Sequence, residues 1–303
     1  HMDQNRCTAY LINEEENQVL RIVTEEDLAL QIASSLSTRT LELARSETLD
    51  KVESTKYNRI SQFSNNVYFP KEKSGVIYNP VFDVKVPFTD PMGSMDFQKV
   101  EEYINPFFAN SSSKYLVEDM IQRNLTYRDQ RVIVKYNTED GIVEYSDISV
   151  GKGVAPNISN AYKIAIAFME KDILLSNIEI HLSDYHIVEN EAYFYFEYTF
   201  DDFNVVIPGA TKEQFGIEAP IEVVVSNGKV SYYKRWLFEY EISMGTYENV
   251  NQDYQYVLDA LNNHDEVKQI SDAYLAYVYD VENKECQITW VADSNKRYFI
   301  PIK

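Results

Sequence analysis

Cysteine is almost missing from this chain: Cys7 and Cys286 are the two in 303 residues. One bridge between them is the most they could form, and two cysteines near opposite ends of a chain are more often free. Gln4-Asn-Arg6, before Cys7, lack the apolar and small residues of a lipoprotein signal. So few cysteines leave the compartment undecided. No apolar run approaches the roughly 18–20 residues that cross a bilayer. Basic residues are scarce, 28 Lys and Arg against 48 Asp and Glu for a net charge of −20, and no basic cluster offsets the deficit. Such a surface repels phosphate backbones and anionic lipid heads, so no nucleic-acid partner is expected and the acid excess reads first as solubility.

Motifs for chemistry are missing as well. There is no Gly-x-Ser-x-Gly elbow, and Ser111-Ser-Ser113 before Lys114 has no histidine nearby, reading instead as a loop with Ser113 as a helix cap. Gly151-Lys-Gly153 is too short for a phosphate cradle, and nothing follows the twelve-residue calcium loop. The one close histidine pair, His181 and His186, lies on a predicted strand, where odd spacing sends side chains to opposite faces. A shared metal would need a bend at Ser183-Asp184, and the carboxylates of Asp184 and Asp201-Asp202 do not supply a known spacing. Carboxylate pairs such as Glu14-Glu-Glu16 and Glu101-Glu102 are expected by coincidence among 48 acids, so a wall-glycosidase reading gains nothing from them. No catalytic, cofactor-binding or metal residue is therefore assigned, no cofactor is expected, and the chain reads as non-enzymatic.

What is present is a sheet-rich composition. Hydrophobic residues make up 45%, enough for packed cores, and 24 tyrosines suit rings packing across neighbouring strands. Asn227-Gly228 between Ile221–Ser226 and Lys229–Tyr233 predicts a two-residue hairpin turn. Ala161, Ile164, Ala165 and Phe168 predict a helix over 157–171, capped by Asn157 or Ser159. Strands are expected at 178–187 and 191–200 around Glu189-Asn190, followed by a connection through Pro208 and Gly209. Val250, Tyr254, Val257, Leu258 and Leu261 predict a helix from Glu248 to Leu261, ended by Asn262-Asn263, before strands at 273–280, 286–291 and 297–302. Tyr193-Phe-Tyr-Phe-Glu-Tyr198 and Tyr232-Tyr-Lys-Arg-Trp236 place aromatics at alternate positions, one face for core and the surplus for a partner surface.

The first half predicts a strand pair at 8–13 and 18–23, a helix over 25–45, a turn-rich 68–83 and a strand at 84–88. A turn at Asp90-Pro-Met-Gly93 leads to helices over 96–105 and 114–123, then a hairpin of 131–136 and 142–145 around Glu139-Asp140-Gly141. The fold class is thus α+β. Two tandem modules of helix plus antiparallel sheet are expected, 1–152 and 153–303, divided at Gly151-Lys-Gly-Val-Ala-Pro156. Helix followed by strands and a hairpin occurs in both, as a structural duplication would give, without residue identity to prove it.

The run from Asn157 to Lys303 resembles the carboxy-terminal half of the YycI and YycH family, membrane-anchored extracytoplasmic regulators of the WalK (YycG) cell-wall sensor kinase of low-GC Gram-positive bacteria. Tyr232-Tyr233 leading into Trp236-Leu-Phe, the helix at Tyr254 to Leu261, Ala273-Tyr-Leu-Ala-Tyr, Ile288-Thr-Trp-Val and Arg297-Tyr-Phe-Ile carry the resemblance. It implies a regulator of a two-component system with the sensor histidine kinase and a sibling regulatory protein as partners. It also implies a single-pass membrane protein with its bulk outside the cell, anchored by a helix upstream of Asp3, with His1-Met2 read as a cloning remnant. The alternatives are a secreted inhibitory or ligand-binding module and, after it, a wall hydrolase with an unrecognised acid pair.

Overall fold

The computed structural model describes residues 6–13, 18–25, 45–51, 62–63, 68–70, 77–89, 94–119, 123–151, 153, 157–175, 178–200, 203–250, 254–261, 263–264, 266–267 and 269–301. Residues 26–44 of the helix predicted over 25–45, the turn at 90–93, Glu14-Glu-Glu16 and Asp201-Asp202 lie outside them, and Glu25 and Arg45 belong to strands. The chain divides into two compact units, a first of 78–248 with 275–289 and a second of 1–77, 249–274 and 290–303. The expected boundary at 152 and 153 falls within the first unit.

The second unit contains β1 (Arg6–Asn13) and β2 (Gln18–Glu25), the expected antiparallel pair, with Cys7 opposite Thr24 and Ile12 opposite Val19. β3 (Arg45–Lys51), β4 (Gln62–Phe63) and β5 (Tyr68–Pro70) follow, giving one sheet in the order β1-β2-β3-β5.

The first unit begins with β6 (Ile77–Lys85), which starts seven residues earlier than the strand expected at 84–88. Its pairing with a strand near the other end of the chain, Glu285 opposite Asp83 and Cys286 opposite Phe82, is a non-local cause that local turn signals cannot report. α1 (Phe97–Ile104) starts where Asp96 accepts from the Lys99 N–H at 3.1 Å, and it buries Val100, Tyr103 and Ile104. A 3-10 turn at Ser111–Ser113 precedes β7 (Tyr115–Asp119). The helix expected over 114–123 is therefore corrected to a strand: β7 pairs antiparallel with β8 (Asn124–Arg128), and Arg123 turns the chain at φ 51°. β9 (Val132–Asn137) and β10 (Ile142–Asp147) form the predicted hairpin.

α2 (Ile158–Met169) is capped by Asn157, which accepts from the Asn160 N–H, and buries Ala161, Ala165, Phe168 and Met169. β11 (Glu179–Val188) and β12 (Glu191–Phe200) turn at Glu189, and β13 (Phe203–Val206) follows. Where a plain connection was expected, Pro208 leads into the short helix α3 (Gly209–Phe215), which ends at Gly216 in the left-handed region. β14 (Ile221–Ser226) and β15 (Lys229–Trp236) are joined by Asn227 and Gly228 at φ 49° and 72°, as a two-residue primed turn requires. β16 (Glu239–Val250) comes next.

In the second unit, α4 (Tyr254–Leu261) buries Val257, Leu258 and Leu261, and β17 (Gln269–Ile270) runs parallel to β4. β18 (Asp272–Asp280) and β19 (Glu285–Asp293) are two of the predicted closing strands. Hydrogen bonding orders the strands β16-β6-β19-β18-β13-β12-β14-β15-β10-β9-β8-β7, with β11 beside β12. β20 (Arg297–Pro301), the last predicted strand, lies beside β19. The fold is α+β.

Within the first unit, α2 packs on the sheet through Phe168, which meets Tyr145 and Tyr233 at 4.8 and 5.5 Å between ring centres, and Tyr162, which meets Phe194 and Phe196. The face so covered holds Tyr127, Val134, Tyr145, Tyr233, Val223 and Phe194, cross-strand partners in one unbroken row. All six are buried. At the usual 1.5–3 kcal/mol or so per large apolar side chain, this row is a main source of the unit's stability.

Candidate functional site

Three arrangements in the first unit concentrate polar chemistry or aromatic surface. The most heavily charged is sealed. Asp172, just after α2, accepts at Oδ2 from the hydroxyls of Tyr103 and Tyr233 at 2.7 and 2.8 Å, and at Oδ1 from the Leu174 N–H at 3.2 Å. Arg235 Nη1 stands 2.6 Å from Asp172 Oδ1, with the two side chains 1% and 0% exposed, though no N–H of that nitrogen is aligned on the oxygen. Arg235 Nε donates to Tyr198 Oη at 2.9 Å, and the Tyr198 hydroxyl donates to the Trp236 carbonyl at 2.6 Å. Burial, then the Asp172 charge, holds the Tyr103 and Tyr233 hydroxyls well above the ordinary tyrosine range, so they remain donors. Tyr103 comes from α1, Asp172 from the turn that follows α2, Tyr233 and Arg235 from β15 and Tyr198 from β12. The cluster thus ties two helices to the sheet, and no solute reaches it.

The second arrangement is a cleft of about 160 Å³ walled by Phe215, Trp236, Phe238 and Tyr279, with Lys85, Glu139, Asp140 and Lys284 at its rim. Trp236 stacks on Phe238 at 4.6 Å and tilts against Tyr279 at 4.8 Å. Burial, followed by the neighbouring Glu139 charge, raises the Asp140 carboxyl, while Lys284 and Arg123 oppose it. Lys85 is paired with Glu241. Organic-ligand pockets begin near roughly 300 Å³, so this cleft suits a small ion or a few waters.

The third is the sheet face opposite the helices. One cross-strand row runs Tyr115, Arg128, Ile133, Ser146, Tyr232, Val224, Tyr193, His186 across eight strands. The next runs Val117, Thr126, Lys135, Glu144, Lys234, Glu222, Tyr195, Asp184. Charges in the second row are met locally: Lys135 lies 3.8 Å from Glu144, Lys234 donates to the Gly216 carbonyl, and Glu222 accepts the Glu218 N–H. Burial chiefly raises the Glu222 carboxyl. Tyr193, Tyr195 and Tyr232 are half-buried, whereas Phe194, Phe196 and Tyr233 point the other way and are buried. The alternation expected from sequence therefore separates core rings from surplus rings at these positions.

The histidines are where sequence periodicity fails. A β-bulge between Leu182 and Asp184 adds a residue, so His181 opposite Glu197 and His186 opposite Tyr193 share the outer face. His181 Nδ1 meets Thr199 Oγ1 at 3.0 Å, and His186 stacks on Tyr193 at 4.8 Å and 14°. Among the described residues no group of three or more His, Cys, Asp or Glu is arranged to hold a metal. Glu101 pairs with Lys114 and Glu102 accepts from Gln98. Ser111–Ser113 is a surface turn, with Ser113 donating to the Asn110 carbonyl rather than capping a helix. Cys286 is a free thiol that burial pushes up. No helix among the described residues is long and apolar enough to cross a membrane. The Asp172 and Arg235 cluster went unseen in the sequence, since its members come from four separate elements and share no spacing.

No family model and no curated protein matches this chain. Among solved structures, it is similar to YycH from Bacillus subtilis, at 14% identity and TM-score 0.46 over 99% of this chain and 68% of that one. It is also similar to an uncharacterized protein from Eubacterium rectale ATCC 33656, at 9% identity and TM-score 0.47 over 89% and 94%. A third is the C-terminal domain of YpeB from Bacillus megaterium, at 12% identity and TM-score 0.39 over 69% and 93%.

Proposed function

We propose that this chain is a non-enzymatic extracytoplasmic regulatory protein that acts by binding, on a membrane two-component sensor histidine kinase controlling cell-wall metabolism. In this reading an amino-terminal helix anchors it as a single-pass protein, and a sibling regulator works beside it. The observation that carries the binding part is the outer sheet face, where Tyr193, Tyr195 and Tyr232 are half-buried with their charged neighbours already paired. Tyrosines set in a rigid sheet lose little entropy on contact and are enriched among residues that dominate protein interfaces. The kinase part rests on the sequence resemblance of Tyr232–Phe238 and the closing strands.

A bound module shifts a kinase only through a difference in affinity for its two signalling states, and an inversion from 1:99 to 99:1 needs about 5.5 kcal/mol of that difference. The test is kinase autophosphorylation in vesicles, with the anchored protein at rising ratios. A saturable change in rate, weakened by Tyr193→Ala with Tyr232→Ala, is expected. A rate independent of the protein at all ratios refutes the reading.

A further inference from the structure

β11 is a margin of the sheet: among the described strands it pairs with β12 alone, and β12 is occupied on its other side by β14 and β13. Beyond the bulge the pairing is regular, from Asp184 opposite Tyr195 to Val188 opposite Glu191. Along this stretch the Tyr185 N–H points away from β12 and is met by Asp184 Oδ1 at 2.8 Å. By the alternation of an antiparallel strand, the backbone groups of Ile187 point the same way.

Natural edge strands are commonly blunted by lysine or proline, and β11 carries neither, its one irregularity being the bulge. Tyr185 and Ile187 lie opposite Phe194 and Ala192, which are 1% and 0% exposed, yet are themselves 54% and 46% exposed because the sheet ends there. Charge then selects the occupant. Glu179–Phe200 holds Glu179, Asp184, Glu189, Glu191 and Glu197 and no lysine or arginine, in a chain of net charge −20. A second copy would add a like-charged hairpin to this edge.

We propose that β11 accepts an added strand along Asp184–Val188: an extended segment of a partner, with apolar side chains at alternate positions and basic side chains between them. Main-chain bonds supply the pairing, the apolar row extends the buried face past Tyr185 and Ile187, and a basic residue draws the Asp184 carboxylate off the Tyr185 N–H. This goes beyond the regulatory reading and does not depend on it.

The probe is a short amidated peptide alternating lysine and valine, measured by fluorescence anisotropy against the full chain at neutral pH and physiological salt. An equally charged control has proline at its central valine. The lysine–valine peptide should bind at least about ten-fold tighter than the proline control, because proline removes a ladder donor. Tyr185→Thr with Ile187→Thr, both on exposed positions, should melt close to wild type and lose roughly the same factor. Amide exchange at Tyr185 and Ile187 should slow with the peptide bound. Equal binding of the proline control, unchanged binding by the double variant, or self-association through β11 without peptide binding each overturns the proposal. No kinase enters the assay, so its failure is separate from failure of the regulatory reading.

Discussion

Replacing Asp172 with asparagine keeps the shape of the sealed cluster and removes its one negative charge. The Arg235 guanidinium then stays 1% exposed, with Tyr198 Oη on Nε and no carboxylate opposite. Breaking one side of a buried pair costs about 3–5 kcal/mol, because the remaining charge stays desolvated without compensation. Against the usual 5–15 kcal/mol or so of a whole domain, that is from about a fifth of the margin to all of it. Tyr103→Phe is the milder control: the carboxylate keeps Tyr233, Leu174 N–H and Arg235, and loss of one hydrogen bond to a charged group costs about 1.5–3 kcal/mol. The third variant combines Asp172→Leu with Arg235→Met, which removes both charges and should cost far less than the two single changes added together. Urea unfolding at 25 °C and neutral pH, followed by near- and far-ultraviolet circular dichroism, gives the midpoints and slopes. An Asp172→Asn midpoint equivalent to less than about 1 kcal/mol, or a double variant costing the full sum, refutes the assignment of this cluster as the tie between helices and sheet.

Raising the pH should destabilise the first unit above about pH 10. Unfolded tyrosines release their protons there, while burial holds those of Tyr103 and Tyr233 well beyond it and pushes Tyr145 up to about 12, so the folded state is the one that keeps protons and its advantage falls as pH rises. Absorbance at 295 nm should show part of the tyrosines ionising only as the circular dichroism is lost; smooth titration of all of them in a folded chain contradicts this. Asn227→Val forces a β-branched residue to φ near 49° and should cost about 1–2 kcal/mol, read as a lower urea midpoint with an unchanged slope. An unshifted midpoint would place the turn elsewhere.

Local features of the sequence determine the elements that were legible. Asn227-Gly228 adopts the two positive φ values its turn needs, and Asn157 caps α2 through an oxygen three residues from its N–H partner. Alternation from Tyr193 to Tyr198 separates two faces because β12 is flanked by strands along both sides. β7 was illegible because Tyr115, Leu116, Val117, Met120 and Ile121 mimic helical spacing, and an edge strand with both faces exposed shows no strict alternation. α3 was hidden by its own punctuation: Pro208-Gly209 and Gly216 read as loop, yet they bound a helix that buries Thr211 and Phe215 four residues apart. The bulge in β11 shifted the phase of both histidines, and no residue in Leu182-Ser-Asp184 announces it. The outer tyrosine row came through in part, from β12 and β15, while its continuation to Tyr115 depends on register across strands far apart in the chain.

The position of β19 beside β6 has a consequence for the order of events during synthesis. As the chain emerges, β9 with β10, β11 with β12 and β14 with β15 can each zip up from neighbouring residues within moments of being made. Phe82 must wait for Cys286, and Val205 for Tyr277, which emerge 204 and 72 residues after their partners. Until then the nascent protein holds finished hairpins around an apolar seam that nothing yet closes. Such late, long-range closure is slow and leaves strand edges open to other chains, so residues 275–289 act as the fastening of a unit most of which was made long before.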